Sequence, residues 1–238
     1  MFIHTNMKIA GLDVSPTSTG CVKFELDDQF NIVKIEKMGF KEVSKTSKES
    51  YTDVHIYREH QFLTFYHRLS FMLPKIEAFL IDVDYVSLEE YAFAATGKIT
   101  MLAELCGNIK YRLFETGKKI RFYDPQTVKI FATGKGNAKK PDMYDGYLTV
   151  PYKEDLSYLP QIKVHTRGKN AGLRNKDGIS PLSDIVDAFF ICDILRHELG
   201  LKALVMSLNT VSSECKRIMT RTTKATKVDL LHQPFIHK

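Results

Sequence analysis

Residues 7–20, MKIAGLDVSPTSTG, decide how this chain is read. Residues 7–13 predict a short buried strand built on Ile9, Ala10 and Leu12, and Asp13 ends it. The following VSPTSTG is rich in the Ser, Pro, Thr and Gly that interrupt regular structure. An acid at that point has two readings: it caps a turn, as Asp commonly does, or it faces a ligand from the end of a strand. Taken alone, Asp13 leaves both open.

Working outward, residues 21–26 and 32–40 read as strands joined by a turn at Asp27-Asp28, which makes an antiparallel meander of three. Residues 41–53 are polar and read as a loop. From 56 to 80 apolar residues recur at helical spacing (Phe62, Phe65, Leu69, Met72), with Pro74 expected to kink or divide the helix. Its aromatics Phe62, Phe65, Tyr66 and Phe71 could form a dimer face, although core packing fits them better. Residues 85–89, YVSLE, form a second buried strand ending in acid. A helix follows over 98–116, with Met101, Leu105, Ile109 and Leu113 on one face and Gly117 as its stop. Residues 119–123 read as another strand. Asp124-Pro125 then opens a helix that carries Val128, Ile130 and Phe131 and breaks at Gly134 and Gly136.

Residues 144–180 have no clear period and contain Gly146, Pro151, Pro160, Gly168, Gly172 and Gly178, the mark of a functional or disordered segment. A last helix spans 184–199, capped by Ser183 or by Ser180-Pro181 and closed by Gly200. The pattern is α/β with a mixed sheet, three antiparallel strands followed by parallel ones, flanked by helices. Its order, βββαβαβα, is that of the ribonuclease-H-like fold. Residues 1–200 are expected to form that domain, with a basic insertion at about 144–180 and a basic extension over 201–238.

The 238 residues are 44% hydrophobic and 26% charged, ordinary for a globular protein. Cys21, Cys106, Cys192 and Cys215 are scattered without zinc spacing, which predicts buried reduced thiols. No apolar run is long enough to span a membrane, and no secretory leader pattern opens the chain, so an intracellular, cytoplasmic protein is expected, of a bacterium or a phage-infected host cell. The net charge is +6. The excess gathers in 161–180, through Lys163, Arg167, Lys169, Arg174 and Lys176, and again beyond residue 200. Basic clusters are the electrostatic footprint of polyanion binding, and equally of a solvated face.

Three further acids join Asp13. Glu89 finishes an apolar strand, where an ionised carboxylate is costly unless paired or metal-bound. Its neighbour Glu90 alternates to the other face. In SDIVDAFFICDIL, Asp184 and Asp187 lie one helical turn apart and repel, and a cation between them would relieve this. A plain helix cap is the alternative. Asp193 reads as a surface or salt-bridge residue. Carboxylates without His or Cys suit Mg²⁺ or Mn²⁺ rather than zinc, and two such ions suit phosphodiester hydrolysis.

Together the motifs resemble the RuvC-type Holliday junction resolvases, especially their phage-encoded relatives. The first is Gly11-Leu12-Asp13-Val14-Ser15-Pro16-Thr17-Ser18-Thr19-Gly20, the second Leu88-Glu89-Glu90-Tyr91-Ala92-Phe93, the third Asp184-Ile185-Val186-Asp187-Ala188. The resemblance covers roughly 7–136 and 182–199. It implies that Asp13, Glu89, Asp184 and Asp187 hold two catalytic metal ions, and that Lys129 and Lys140, with Lys135 and Lys139 as close substitutes, contact phosphate or steady the transition state. It also implies stacking of Tyr91 or Phe93 on an unpaired base, and a homodimer matched to the two-fold junction. The segment 144–180 and the extension 201–238 depart from the family and leave the branched DNA substrate open. A related nuclease of flaps, other branched DNA or RNA–DNA hybrids would use the same acids. A sugar-kinase-like phosphotransferase shares the first motif but needs a second domain. A catalytically silent junction-binding protein would have no use for all four acids.

Overall fold

The computed structural model describes residues 6–90, 99–164, 166–167, 169, 171–175, 178–222 and 228–238. The strands are β1 (Met7–Val14), β2 (Ser18–Leu26), β3 (Ile32–Val43), β4 (Val54–Arg58), β5 (Tyr85–Glu89) and β6 (Lys119–Tyr123). They form one sheet in the order β4-β3-β2-β1-β5-β6. β1, β2 and β3 are mutually antiparallel neighbours, whereas β5 runs parallel to β1 and β6 parallel to β5. This is the expected ribonuclease-H-like sheet, with β4 added along β3.

Alternation along β1 feeds two cores. Ala10 and Leu12 join Val86 and Leu88 beneath α1 (Phe65–Phe79) and α2 (Ile99–Glu115), which contribute Leu69, Met72, Leu105 and Ile109. Ile9, Val22 and Phe24 face the opposite layer, made of α3 (Pro125–Thr133), α4 (Lys140–Thr149), α5 (Leu182–Lys202) and α6 (Ser213–Met219). Helix α5 is buried on almost every side, as befits a helix at the centre of a core.

Two glycines set how closely α5 can approach. A Cβ on Gly11 would stand 2.4 Å from the Ala188 carbonyl oxygen, and one on Gly20 would stand 2.1 Å from that of Asp184. Helix backbone therefore rests on strand backbone at both points. Toward the C-terminal end of α5 the buried charges are matched one by one. Glu198, fully buried, accepts from Arg121 at 2.5 Å, Tyr123 at 2.7 Å and Lys202 at 2.9 Å. Asp193 pairs with Arg196 at 2.7 Å and accepts from the Tyr152 hydroxyl at 2.7 Å; it is a salt-bridge residue, but a buried one.

Several elements differ from expectation. The helix expected over 56–80 is a strand followed by a helix: Val54, Ile56 and Tyr57 are good strand formers and extend the sheet beside β3, while α1 starts only after the Thr64 cap. It continues through Pro74. β3 runs on to Val43, so the polar loop is shorter. The irregular segment begins after Thr149, because Gly146 lies inside α4, where a Cβ would meet the Ala132 carbonyl of α3 at 2.4 Å. Residues after Gly200 return to the fold. Cys215, Ile218 and Met219 enter the core, and Ile236 bridges to Ile120 on β6. All four cysteines are buried and free. Among the described residues no helix is long and apolar enough to cross a membrane.

Gly20→Ala should force α5 away from β2. The expected loss is about 1–3 kcal/mol or more, typical of overpacking, measured as a lower urea midpoint. An unchanged midpoint would show that the helix can shift at no cost.

Candidate active site

β1 and β5 are parallel neighbours with Leu12 level with Leu88. Their next residues, Asp13 and Glu89, therefore stand side by side at the carboxyl ends of adjacent strands. Because Leu12 and Leu88 fill the core under α1 and α2, the period of two turns both acids toward the α5 face. Gly20, level with Asp13 on β2, is where the first turn of α5 sits on the sheet. Asp187 is thereby delivered to the same place. Asp13, Glu89 and Asp187 line a cavity of about 550 Å³, together with Glu90, Lys129, Lys139 and Lys140. Leu102 and Cys106 of α2 and Pro125 and Val128 of α3 form its apolar walls. Glu90 is exposed at its edge.

Asp184 sits one turn before Asp187 but does not line the cavity; its Oδ2 accepts from the Ser180 hydroxyl at 2.7 Å. Its charge still bears on Asp13 and Asp187. The Lys140 ammonium is in direct contact with Asp187 Oδ2 and lies 3.9 Å from Asp13 Oδ2. Burial would lower its pKa, but Asp187, Asp13 and Asp184 outweigh burial and hold it above the usual lysine range. Burial pushes the Asp13 carboxyl well up; Lys140 opposes this, while Asp187, Glu89 and Asp184 reinforce it. Asp187 is raised by burial against the pull of Lys140. Glu89 is pushed up to about 7 by burial and by Asp187, with Lys140 and Lys129 opposing.

Among the described residues, two buried side-chain polar atoms have no hydrogen-bond partner: Arg68 Nε and Asp187 Oδ1. No three Asp, Glu, His or Cys side chains among the described residues are grouped as a ready-made metal cage. The donor chemistry nevertheless fits a hard cation. The acids offer only oxygen, one Asp187 oxygen is buried and unmatched, and a positive group already lies against two of the carboxylates.

The expected nucleic-acid contacts are spread more widely. Lys129 is half-buried on α3, and Lys139 is exposed at the start of α4; both line the acidic cavity. Lys135 lines a different hollow of about 670 Å³ between α3, α4 and α6. The acids of that hollow are matched: Asp145 to Arg174, Asp193 to Arg196, Asp142 to the Lys139 backbone N–H, and Glu214 to the Ser213 hydroxyl. Lys163, Arg167 and Lys169 are exposed in the segment between α4 and α5. Arg174 is tied to both oxygens of Asp145 at 2.7 Å. Tyr91 and Phe93 lie outside the described residues.

Sequence reading did not single out Ser180 or Gly178 for the site. Gly178 has φ 73°, and a Cβ there would come within 2.7 Å of the Lys140 Cβ. Sequence position offers no sign of either contact, since 38 residues separate Gly178 from Lys140.

In the presence of a chelator, the three raised carboxyls should destabilise the fold as pH rises. A carboxyl whose folded pKa exceeds its unfolded one keeps its proton longer in the folded state. For Glu89 the loss runs from about the ordinary 4.5 up to about 7. The melting temperature of chelated protein should therefore fall between pH 5 and pH 8, and Glu89→Gln should flatten that fall. An equally steep fall in the variant would remove Glu89 from its cause.

No protein-family model and no curated protein matches the chain. Among solved structures it is similar in fold to Thermus thermophilus RuvC, at 18% identity and a TM-score of 0.47, over 84% of this chain and 98% of that one. T. thermophilus RuvC in complex with Holliday junction substrate gives a TM-score of 0.48 at 18% identity, over 84% and 97% of the two chains.

Proposed function

We propose that this chain is a divalent-metal-dependent endonuclease of branched DNA that cuts four-way junctions as a homodimer, by paired nicks leaving 5′-phosphates. The observation that carries this reading is the convergence of Asp13, Glu89 and Asp187 from two strand ends and one helix on a single cavity flanked by Lys129, Lys139 and Lys140. The motifs that supply these acids are those that resemble the RuvC-type resolvases.

Asp13, Glu89 and Asp187, with Asp184 behind them, would hold Mg²⁺ or Mn²⁺, two ions in the expected arrangement. When bound, such ions lower the pKa of an attacking water and neutralise charge on the phosphate. The chain's own residues do the rest. Packing of α5 on Gly11 and Gly20 fixes the spacing of the acids before substrate arrives, so little reorganisation is left for the reaction. Lys129 and Lys140 face the cavity, where a phosphodiester's oxygens would carry their charge. Exposed Lys139, Lys163, Arg167 and Lys169 suit the sugar-phosphate backbone of the duplex arms, which fixes position rather than sequence.

A labelled four-way junction, linear duplex, flap and RNA–DNA hybrid, each incubated with protein and Mg²⁺, test the reading. The junction should be cut in preference. Equal cutting of linear duplex and junction would sink the junction assignment and leave the nuclease one. Preferred cutting of the flap or hybrid would select those substrates instead. Asp13→Asn should abolish cleavage and leave junction binding within about threefold, since binding rests on Lys and Arg contacts to phosphate. Full activity in that variant would exclude Asp13 from the mechanism. Junction affinity should also fall steeply with added salt, and a flat titration would count against a phosphate-led interface.

A further inference from the structure

Lys140 stands apart from the other cations around the acidic cavity. Its ammonium touches Asp187 Oδ2 and lies 3.9 Å from Asp13 Oδ2, so it bridges a carboxylate of α5 and one of β1. Lys129 lines the same cavity yet makes no ion pair among the described residues. Three carboxylates around one partly buried cavity repel one another, and a positive charge between two of them offsets that repulsion.

The two ends of the Lys140 side chain are held differently. Its stem is packed against Gly178, where a Cβ would lie 2.7 Å from Lys140 Cβ and 2.9 Å from its Cγ. Glycine's lack of a side chain lets the backbone clamp this stem, and φ 73° is a conformation glycine adopts without strain. The head is only partly covered, with the side chain 32% exposed. Rotation about its outer bonds therefore moves the ammonium into the cavity without moving α4. The other oxygen of Asp187 is buried and has no partner among the described residues. The ammonium satisfies half of that carboxylate, which leaves it able to accept a second cation.

We propose that Lys140 is a built-in counter-ion, whose ammonium bridges Asp13 and Asp187 in the metal-free protein and swings away from them, toward the phosphate position, when a divalent cation binds. This rests on the metal-dependent reading above. It gives Lys140 two successive partners: carboxylates that it keeps from repelling one another, then substrate. It also makes vacating the carboxylates a condition of cation binding, so the apparent affinity is reduced by the fraction of molecules in which Lys140 has moved away.

Calorimetric titration of Mn²⁺ into the whole protein separates these statements. Lys140→Met should bind Mn²⁺ about tenfold or more tightly than wild type, as expected if the vacated state is about a tenth populated. Lys129→Met removes the same charge from the same cavity without freeing a carboxylate, and should change affinity by less than about threefold, the scale of a partly screened charge. In chelator, Lys140→Met should melt below wild type, and Mn²⁺ should raise its melting temperature more. Lys140→Gln serves the same titration if the Met variant fails to fold. Equal Mn²⁺ affinity in wild type and both Lys140 variants would overturn the counter-ion role, as would an equal gain in Lys129→Met, and either result leaves the metal reading standing. Absence of Mn²⁺ binding in wild type, Lys140→Met and Lys140→Gln alike would overturn the metal reading itself.

Discussion

Helix α5 lies on β1 and β2 with no side chain between the backbones at Gly11 and Gly20, and the rest of the molecule follows from that contact. A Cβ at either position would overlap a helix carbonyl. Close approach lets Asp187, on the first turns of the helix, reach the cavity formed at the carboxyl ends of β1 and β5. It also buries nearly the whole circumference of α5, so that every charge on this helix needs a partner inside the protein.

Those partners divide the helix. Toward its C-terminal end, Asp193 and Glu198 are closed into networks with Arg196, Tyr152, Arg121, Tyr123 and Lys202, which tie α5 to β6 and to the segment after α4. Such networks, complete and buried, hold structure in place. Toward its N-terminal end the balance is left open. Asp187 shares Lys140 with Asp13 and keeps one oxygen unmatched, and burial raises the pKa of both acids. One helix thus carries a rigid end and a chemically poised end, and the difference lies in which acids are fully bonded.

The basic residues follow a similar division. Lys202, Arg217 and Arg174 are engaged with Glu198, the Gly134 carbonyl and Asp145. Much of the positive charge counted in the sequence therefore serves the fold. Lys129 and Lys139 at the acidic cavity and the exposed Lys163, Arg167 and Lys169 make no ion pair among the described residues. Net charge could not make this distinction, because a sum contains no partners.

The sequence by itself determined the strands around Asp13 and Glu89, the helix read over 98–116, the one opened by Asp124-Pro125 and broken at Gly134, and the last helix, because each has a clear period and a clear boundary signal. Asp13 in particular stood at a strand end, with a turn cap as its competing role. It could not determine that residues 54–58 add a strand, since a short edge strand of Val, Ile and Tyr is locally as compatible with a helix's apolar spacing. Nor could it show why Gly11, Gly20, Gly146 and Gly178 are glycines. Gly146 and Gly178 read as breakers, and three of the four serve close approach by a partner distant in the chain, with α4 on α3 the nearer case. Only the tertiary structure decided which acids share a cavity and which are sealed in networks. Local sequence fixes periodicity and caps, whereas the distances between carboxylates, and the lysine that reaches two of them, depend on how helix and sheet pack together.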